Sequence, residues 1–253
     1  LANAGVTSGI LILPGNYTRV DNNSVSGRNY LFPNIDIMFK FWEHGVVDTL
    51  STIDLMEQIG LWKENNMILG YCLGGMVASI VGAIDSRINH LLFMTTGGHL
   101  PQIFHESPAT KFARKLFENG LKTDYYLEDK EKLYKIYAEQ FPKVKKMSFD
   151  EIVNGQIHPL FKVDPISYAH LLDKSKVTFI DAYFDRTLPI ESRKLLYEEM
   201  EGANRKVLPI SHVSWLPFGY FLAKYMLYKL NINEREIKKA LLSREVMENP
   251  LEK

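Results

Sequence analysis

The chain has 253 residues, of which 46% are hydrophobic and 24% are charged, so it is long enough for one α/β domain and too apolar for global disorder. Its 30 basic and 30 acidic residues give a formal net charge of +0, without the basic face that binds nucleic acid. The single cysteine excludes an intramolecular disulfide and a cysteine-rich zinc site, and no apolar run approaches the ~20 residues that span a bilayer.

The first predicted element is a strand over 9–13, which ends at Pro14-Gly15. This apolar run has no basic segment before it and no cleavage site after it, so it is not a signal peptide, and we expect a cytoplasmic location. The chain begins at Leu1 rather than Met, which leaves open whether N-terminal residues are missing.

Short apolar runs and helical stretches then alternate, which predicts a mainly parallel sheet flanked by helices. The elements predicted next are strands over 35–42, 66–71 and 88–94, with helices over 49–59 and 76–84. The alternation then stops, and the elements predicted up to residue 175 are helices at 110–121, 129–141 and 148–157. It resumes with strands over 177–184 and 206–210 and helices over 189–200 and 215–230.

This interruption divides the chain into three predicted parts. Residues 1–97 and 176–232 form an α/β core, and residues 98–175 form a helical cap inserted over the sheet. Residues 233–253 are charged and helix-prone, with Ile237, Leu241 and Val246 near one face. That face predicts a surface helix packed on the core, with a subunit contact, and hence a homo-oligomer, as the alternative.

The strongest chemical motif is Gly-Tyr-Cys-Leu-Gly-Gly at residues 70–75, between an apolar strand and a helix of small residues. A nucleophile on such a tight strand-to-helix turn has strained backbone angles, and Gly70 and Gly74 remove Cβ atoms that would collide with neighbouring elements. Gly75 is the last residue of this predicted turn, the nucleophile elbow. The helix N-terminus favours a thiolate at Cys72, which we therefore predict to be the nucleophile rather than a buried structural cysteine.

A cysteine nucleophile needs a base and an acid, and in this order of elements both follow late strands. Asp185 follows the strand over 177–184, and His212 follows the strand over 206–210. His212 would take the thiol proton and Asp185 would fix the imidazole tautomer. Two alternatives are that His212 is an ordinary loop residue and that Asp185 is a helix N-cap. Asp181 is a competing candidate for the acid, and Asp185 is preferred because it lies at the end of the strand.

Oxyanion donors are predicted at two places. The N–H of Leu73 follows the nucleophile directly, and the second donor should come from the loop after the first strand, as the N–H of Gly15 or Asn16. A plain turn is the alternative for that loop. The histidines show no spacing typical of a metal site and there is no nucleotide-binding motif, so we expect no metal and no cofactor.

With these residues, the stretch from Gly9 to about Leu230 resembles the α/β-hydrolase superfamily. The motif at 70–75 is similar to the cysteine elbow of dienelactone hydrolases and to the cysteine box of polyhydroxyalkanoate synthases. In both families the cysteine is the nucleophile, which the resemblance assigns to Cys72, with Asp185 and His212 as acid and base. Dienelactone hydrolases lack a large cap after the elbow; the synthases carry one but are longer.

Three functions are compatible with these residues. The first is a hydrolase of carboxylic esters or thioesters that forms an acyl–Cys72 intermediate on a small-molecule acyl substrate. The second is an acyltransferase of the polyhydroxyalkanoate-synthase type, which passes the same acyl group to an alcohol in a site closed to water. The third is a non-catalytic binding protein on a hydrolase scaffold. The sequence favours the first.

Overall fold

The computed structural model of the protein describes residues 1–22 and 24–233. Four parallel strands form one sheet in the order β1-β2-β3-β4. The strands are β1 Ile68–Tyr71, β2 Leu91–Met94, β3 Val177–Ala182 and β4 Asn204–Leu208. Every residue of β2 and β3 is buried, as expected for inner strands of a parallel sheet covered on both faces.

Eight α-helices lie in the described residues. They are α1 Ile35–Gln58, α2 Leu73–Ile84, α3 Leu100–Glu106, α4 Lys111–Glu118, α5 Lys130–Val144, α6 Phe149–Asn154, α7 Ile190–Glu199 and α8 Gly219–Lys229. Helix α2 connects β1 to β2, and α7 connects β3 to β4, so consecutive strands are parallel. The carboxyl ends of all four strands therefore meet at one edge of the sheet, where α/β folds place their ligands.

The segment between β2 and β3 contains α3 to α6 and, in its described residues, no strand. The carboxylate of Asp164 fixes it to the end of β2. Asp164 is buried and accepts hydrogen bonds from the backbone N–H groups of His99 at 2.9 Å and Leu100 at 2.6 Å, and from the Tyr137 hydroxyl on α5 at 2.9 Å. Burial raises the pKa of Asp164 to about 6 against the opposing effect of these donors.

Two predicted strands are wrong. Residues 9–13 are not in a strand, because no neighbouring strand pairs with them, and Ile10 is 94% exposed. Residues 35–42 form the start of helix α1, whose N-cap Asn34 accepts from the N–H of Ile37 at 3.0 Å. Its buried residues Ile35, Met38 and Trp42 recur at helical spacing, which overrides the alternating apolar pattern that suggested a strand.

The helix predicted over 49–59 is the second half of α1, and helix α3 was not predicted. The remaining predicted elements within the described residues are present with ends shifted by a few residues. The C-terminal helix predicted for 233–253 falls, apart from Asn233, outside the described residues. Over the described part of the chain, no helix is both long and apolar enough to cross a bilayer.

Candidate active site

Cys72 occupies the turn between β1 and α2 in a conformation that a non-glycine residue rarely adopts. Its φ is 51° and its ψ is −115°, outside the favoured regions for an L-residue. Its N–H donates to the carbonyl of Met94 at 2.9 Å, and its own carbonyl accepts from Gly75 N at 3.0 Å and Thr96 Oγ1 at 2.8 Å. These bonds to β2 and α2 hold a backbone strain of about 1–3 kcal/mol at this residue.

Two glycines make this turn possible. A Cβ on Gly70 would lie 2.5 Å from the Cα of Gly75, and a Cβ on Gly75 would lie 2.7 Å from Thr96 Cβ. A Cβ on Gly74 would meet no atom within 4 Å. The close approach of β1 to α2 therefore requires glycine at 70, and the close approach of α2 to Thr96 requires glycine at 75, whereas the collision expected at Gly74 is absent.

Asp185 and His212 come together at the same sheet edge. Asp185 follows β3 and His212 follows β4, and His212 Nδ1 lies 2.8 Å from Asp185 Oδ2. The other carboxylate oxygen, Oδ1, accepts from the N–H groups of Thr187 at 2.7 Å and Leu188 at 3.1 Å. The Asp185 side chain is 0% exposed, so its carboxylate is fixed in orientation and faces the imidazole with one oxygen.

The contact between Asp185 and His212 favours the charged forms of both side chains. Burial of His212 opposes its protonation, but hydrogen bonds and charge from Asp185 and Cys72 outweigh burial and raise the pKa of His212 to about 9. Burial also acts against the Asp185 carboxylate, yet the His212 hydrogen bond and charge lower the pKa of Asp185. Because Nδ1 bonds Asp185, Nε2 is the nitrogen left to interact with the Cys72 side chain.

Tyr71 contacts His212, and the sequence analysis did not predict this contact. Its hydroxyl donates to the backbone carbonyl of His212 at 2.7 Å, and the two ring centroids lie 5.4 Å apart. Burial raises the pKa of Tyr71, so the phenol keeps the proton that it donates. The only feature of the sequence that places Tyr71 near the site is its position directly before Cys72. That position does not reveal that its hydrogen-bond partner is His212, 141 residues away.

The alternative acid, Asp181, has other partners. It lies within β3 and forms ion pairs with Arg193 of α7 and with Arg205 of β4, the latter at 2.5 Å. Asp181 and Arg193 are both buried, so this network links the sheet to α7. No contact with His212 is present among the described residues.

The predicted oxyanion donors differ in availability. Leu73 is the first residue of α2, and its N–H has no acceptor among the described residues. The N–H of Gly15 donates to the Arg19 carbonyl at 3.1 Å, and that of Asn16 donates to the Leu13 carbonyl at 3.2 Å. Both of these groups are thus engaged within their own turn, so a role for either at an oxyanion requires that bond to break.

An open cavity of about 410 Å³ lies beside His212. Its lining residues come from the loops that carry the acid and the base: Phe184, Arg186, Thr187, Ser211, His212 and Val213. Within the described residues, no group of three or more His, Cys, Asp or Glu side chains is placed to hold a metal ion. The cavity thus lies against the loops of the acid and the base, and Cys72 is not among its lining residues.

The fold is similar to that of solved structures at low sequence identity. An acetyl xylan esterase from Paenibacillus has a TM-score of 0.54 and 14% identity, over 74% of this chain and 52% of that one. A protein of Thermus thermophilus has a TM-score of 0.52 and 12% identity, over 87% of this chain and 76% of that one. An α/β-hydrolase from Penicillium has a TM-score of 0.46 and 15% identity, over 75% of this chain and 71% of that one.

No protein-family model and no curated protein sequence matches the chain. The sheet, its flanking helices and the similarity to the Paenibacillus and Thermus structures define an α/β-hydrolase fold, as the sequence predicted.

Proposed function

We propose that the protein hydrolyses carboxylic esters or thioesters with Cys72 as nucleophile, His212 as acid and base, and Asp185 as the residue that orients and charges His212. The observation that carries this proposal is the 2.8 Å bond from His212 Nδ1 to Asp185, which leaves Nε2 for the strained Cys72 on the elbow. A structural cysteine needs neither the strain nor the charged neighbour.

Before acylation the Cys72 thiol gives its proton to His212 Nε2, which forms a thiolate–imidazolium pair, and in the acylation step the thiolate sulfur attacks the carbonyl carbon. The positive charge on His212 and the N-terminus of α2 stabilise the thiolate form of Cys72. The N–H of Leu73 donates to the carbonyl oxygen as it gains negative charge. The bond from carbon to the leaving oxygen or sulfur then breaks, and His212 returns its proton to that atom, leaving an acyl–Cys72 thioester.

In the deacylation step His212 takes a proton from water, and the resulting hydroxide attacks the thioester carbonyl. The carbon–sulfur bond breaks, the carboxylic acid leaves, and Cys72 regains its proton from His212. The aspartate keeps Nδ1 protonated throughout, so that Nε2 is the nitrogen that exchanges protons.

The helical segment 98–175 is proposed as the cap of this site. Two hydrogen bonds that join it to the acid-bearing part of the chain support this role. Ser107, directly after α3, donates through Oγ to the Thr187 carbonyl at 2.6 Å, and Ser192 of α7 donates to the Gly98 carbonyl at 2.6 Å. The segment is therefore attached close to Asp185, where a cap can limit access to the nucleophile.

Turnover of p-nitrophenyl butyrate by matched variants tests the proposal. Cys72→Ala and His212→Ala should each lower kcat by at least about a thousandfold, because either change removes a member of a unit that acts together. His44→Ala, at an exposed position of α1, is the matched histidine control and should keep the parental rate. Parental activity in Cys72→Ala would overturn the proposal.

The products identify the type of reaction. Butyric acid as the main product, with and without an added alcohol, supports hydrolysis. A butyrate ester formed in preference to the acid would assign the same triad to acyl transfer.

A further inference from the structure

Helix α8 has aromatic side chains on the face where a surface helix is usually polar. Tyr220, Phe221 and Tyr228 are 68%, 67% and 74% exposed. Residues 220, 224 and 228 are one helical turn apart, so their side chains form a row, and Phe221 lies beside that row with its ring centroid 5.8 Å from that of Tyr220. We call these four residues the outer face of α8. A helix face with this composition is normally covered by a partner.

The inner face of α8 already packs against the sheet. Leu222, Tyr225 and Met226 of the helix contact a cluster that includes Leu92 and Met94 of β2. The aromatic rings of the outer face are therefore not needed to complete the hydrophobic core. A partner that covers them must bind from outside the described part of the chain.

The stretch of chain that contains α8 has basic residues but no acidic residue. Over residues 202–233 there is no aspartate or glutamate, although the chain as a whole has 30 acidic residues in 253. The basic residues of this stretch are Arg205, Lys206, Lys224 and Lys229. An excess of positive charge beside exposed aromatic rings is suited to a partner with negative charge.

Two of these lysines are available to such a partner. Lys206 is exposed and lies two residues before Leu208 on β4, so its side chain points to the face of the sheet that α8 covers. Lys229 is partly exposed and lies 5.9 Å from the ring centroid of Tyr225. In the described part of the chain neither Lys206 nor Lys229 forms an ion pair with an acid.

We propose that the outer face of α8 binds the surface of a membrane that contains anionic lipids. The helix then lies parallel to the membrane plane, with Tyr220, Phe221 and Tyr228 at the boundary between headgroups and acyl chains, where aromatic side chains are favoured. Lys206 and Lys229 stay at the level of the headgroups and attract their negative charge.

The composition of this face favours a membrane over a protein partner. Lysine is depleted at interfaces between proteins, whereas helices that lie on membranes combine lysine with aromatic residues. Helix α1 provides a comparison within the molecule, because Val47 and Leu55 are also exposed there. That helix contains five acidic residues and one lysine, so an anionic membrane would repel it.

Flotation of the full chain with lipid vesicles tests the proposal. The vesicles contain phosphatidylcholine alone or equal parts of phosphatidylcholine and phosphatidylserine. The parent should bind the mixed vesicles more tightly, and added salt should reduce this preference because it screens the lysines. Tyr220→Ser combined with Phe221→Ser should lower the partition coefficient at least about tenfold, since burial of one aromatic ring contributes about that factor.

A second variant tests the contribution of charge without changing the aromatic rings. Lys206→Gln combined with Lys229→Gln should lower the partition onto the mixed vesicles by about fivefold for each lysine. Its partition onto phosphatidylcholine alone should stay at the parental value. An equal loss on both kinds of vesicle would contradict the role of anionic lipid.

The matched control removes exposed apolar side chains from the other face of the sheet. Leu55 of α1 and Ile59 directly after it are 53% and 55% exposed, and α1 packs in the core cluster on the side of the sheet opposite to α8. Leu55→Ser combined with Ile59→Ser should leave the partition coefficient at its parental value. An equal loss in this control would overturn the assignment to α8.

Two further results would overturn the proposal. One is a parent that binds neither kind of vesicle. The other is a parent dimer in sedimentation equilibrium that dissociates when Tyr220→Ser and Phe221→Ser are combined, because a second copy would then cover this face. Neither measurement needs turnover, so both are independent of the proposed hydrolase function.

Discussion

Replacing Asp185 by asparagine changes one atom and should disable His212. Asp185 Oδ1 accepts two backbone N–H groups, from Thr187 and Leu188, so the amide oxygen of the variant must keep that position. The amide NH₂ then faces His212 Nδ1 in place of the carboxylate oxygen, 2.8 Å away in the parent. Nδ1 has to accept a hydrogen bond, and the proton of neutral imidazole moves to Nε2, which can no longer take a proton from Cys72.

The size of the effect follows from the charge on His212. Contacts with Asp185 and Cys72 raise the pKa of His212 from 6.5 to about 9 despite burial. Loss of the carboxylate should lower the pKa of His212 from about 9 toward 6.5, and each tenfold change in that equilibrium is about 1.4 kcal/mol of lost stabilisation of the imidazolium. Because the proton that His212 gives to the leaving group is present below its pKa, kcat/KM should fall above about pH 9 in the parent and at a lower pH in Asp185→Asn.

Nuclear magnetic resonance titration of the His212 ring measures the pKa, and pH–rate profiles with p-nitrophenyl butyrate measure kcat/KM. We expect kcat of Asp185→Asn to be about a hundredfold to ten-thousandfold below that of the parent. A His212 pKa that stays near 9 in Asp185→Asn, together with a parental rate, would refute the assignment of Asp185.

Four further substitutions test the support of the site. Asp181→Asn leaves buried arginine charge unpaired and should lower the free energy of unfolding in urea by about 3–5 kcal/mol. The pKa of His212 in the folded variant should stay at its parental value, and a shifted pKa of His212 would make Asp181 the acid. Tyr71→Phe removes the 2.7 Å bond to the His212 carbonyl and should lower kcat about fivefold with little change in KM, whereas a change in KM alone would contradict this positioning role. Gly70→Ala places a Cβ 2.5 Å from backbone and should cost at least about 2 kcal/mol of unfolding free energy, whereas Gly74→Ala should be neutral or stabilising; equal losses would contradict the packing account.

The parallel sheet was predictable because β1, β2 and β3 are short, mostly apolar runs, whereas β4, Asn204–Leu208, has only two apolar residues. Residues 91–94 and 177–182 show this pattern, and the structure buries them completely. The run over 9–13 has the same composition, but a strand also needs a neighbour to bond to, and the sequence of one segment does not reveal whether a neighbour exists. Composition alone therefore predicted one strand too many at the start of the chain.

The start of α1 was predicted as a strand because two periodicities of apolar residues overlap there. Ile35, Ile37, Phe39 and Phe41 alternate as in a strand, while Ile35, Met38 and Trp42 recur as in a helix. The helical pattern continues through the residues up to Gln58, and a longer window that included Asn34 as N-cap would have favoured the helix.

The positions of the proposed triad were predictable from local context, since each residue follows a strand or a strand-to-helix turn. Contacts that join distant segments were not. The Tyr71 bond to His212, the Asp181 pairs with two arginines and the burial of Asp164 depend on packing between elements far apart in the chain. Such contacts leave no pattern in one sequence.

Mass spectrometry of the acid-quenched reaction with p-nitrophenyl butyrate tests the central claim most directly. The account predicts one butyryl group on the parent, located by peptide mapping on Cys72, the only cysteine of the chain, and absent from Cys72→Ala. A butyryl group on another residue, or p-nitrophenol release by Cys72→Ala at the parental rate, would contradict the claim that Cys72 is the nucleophile.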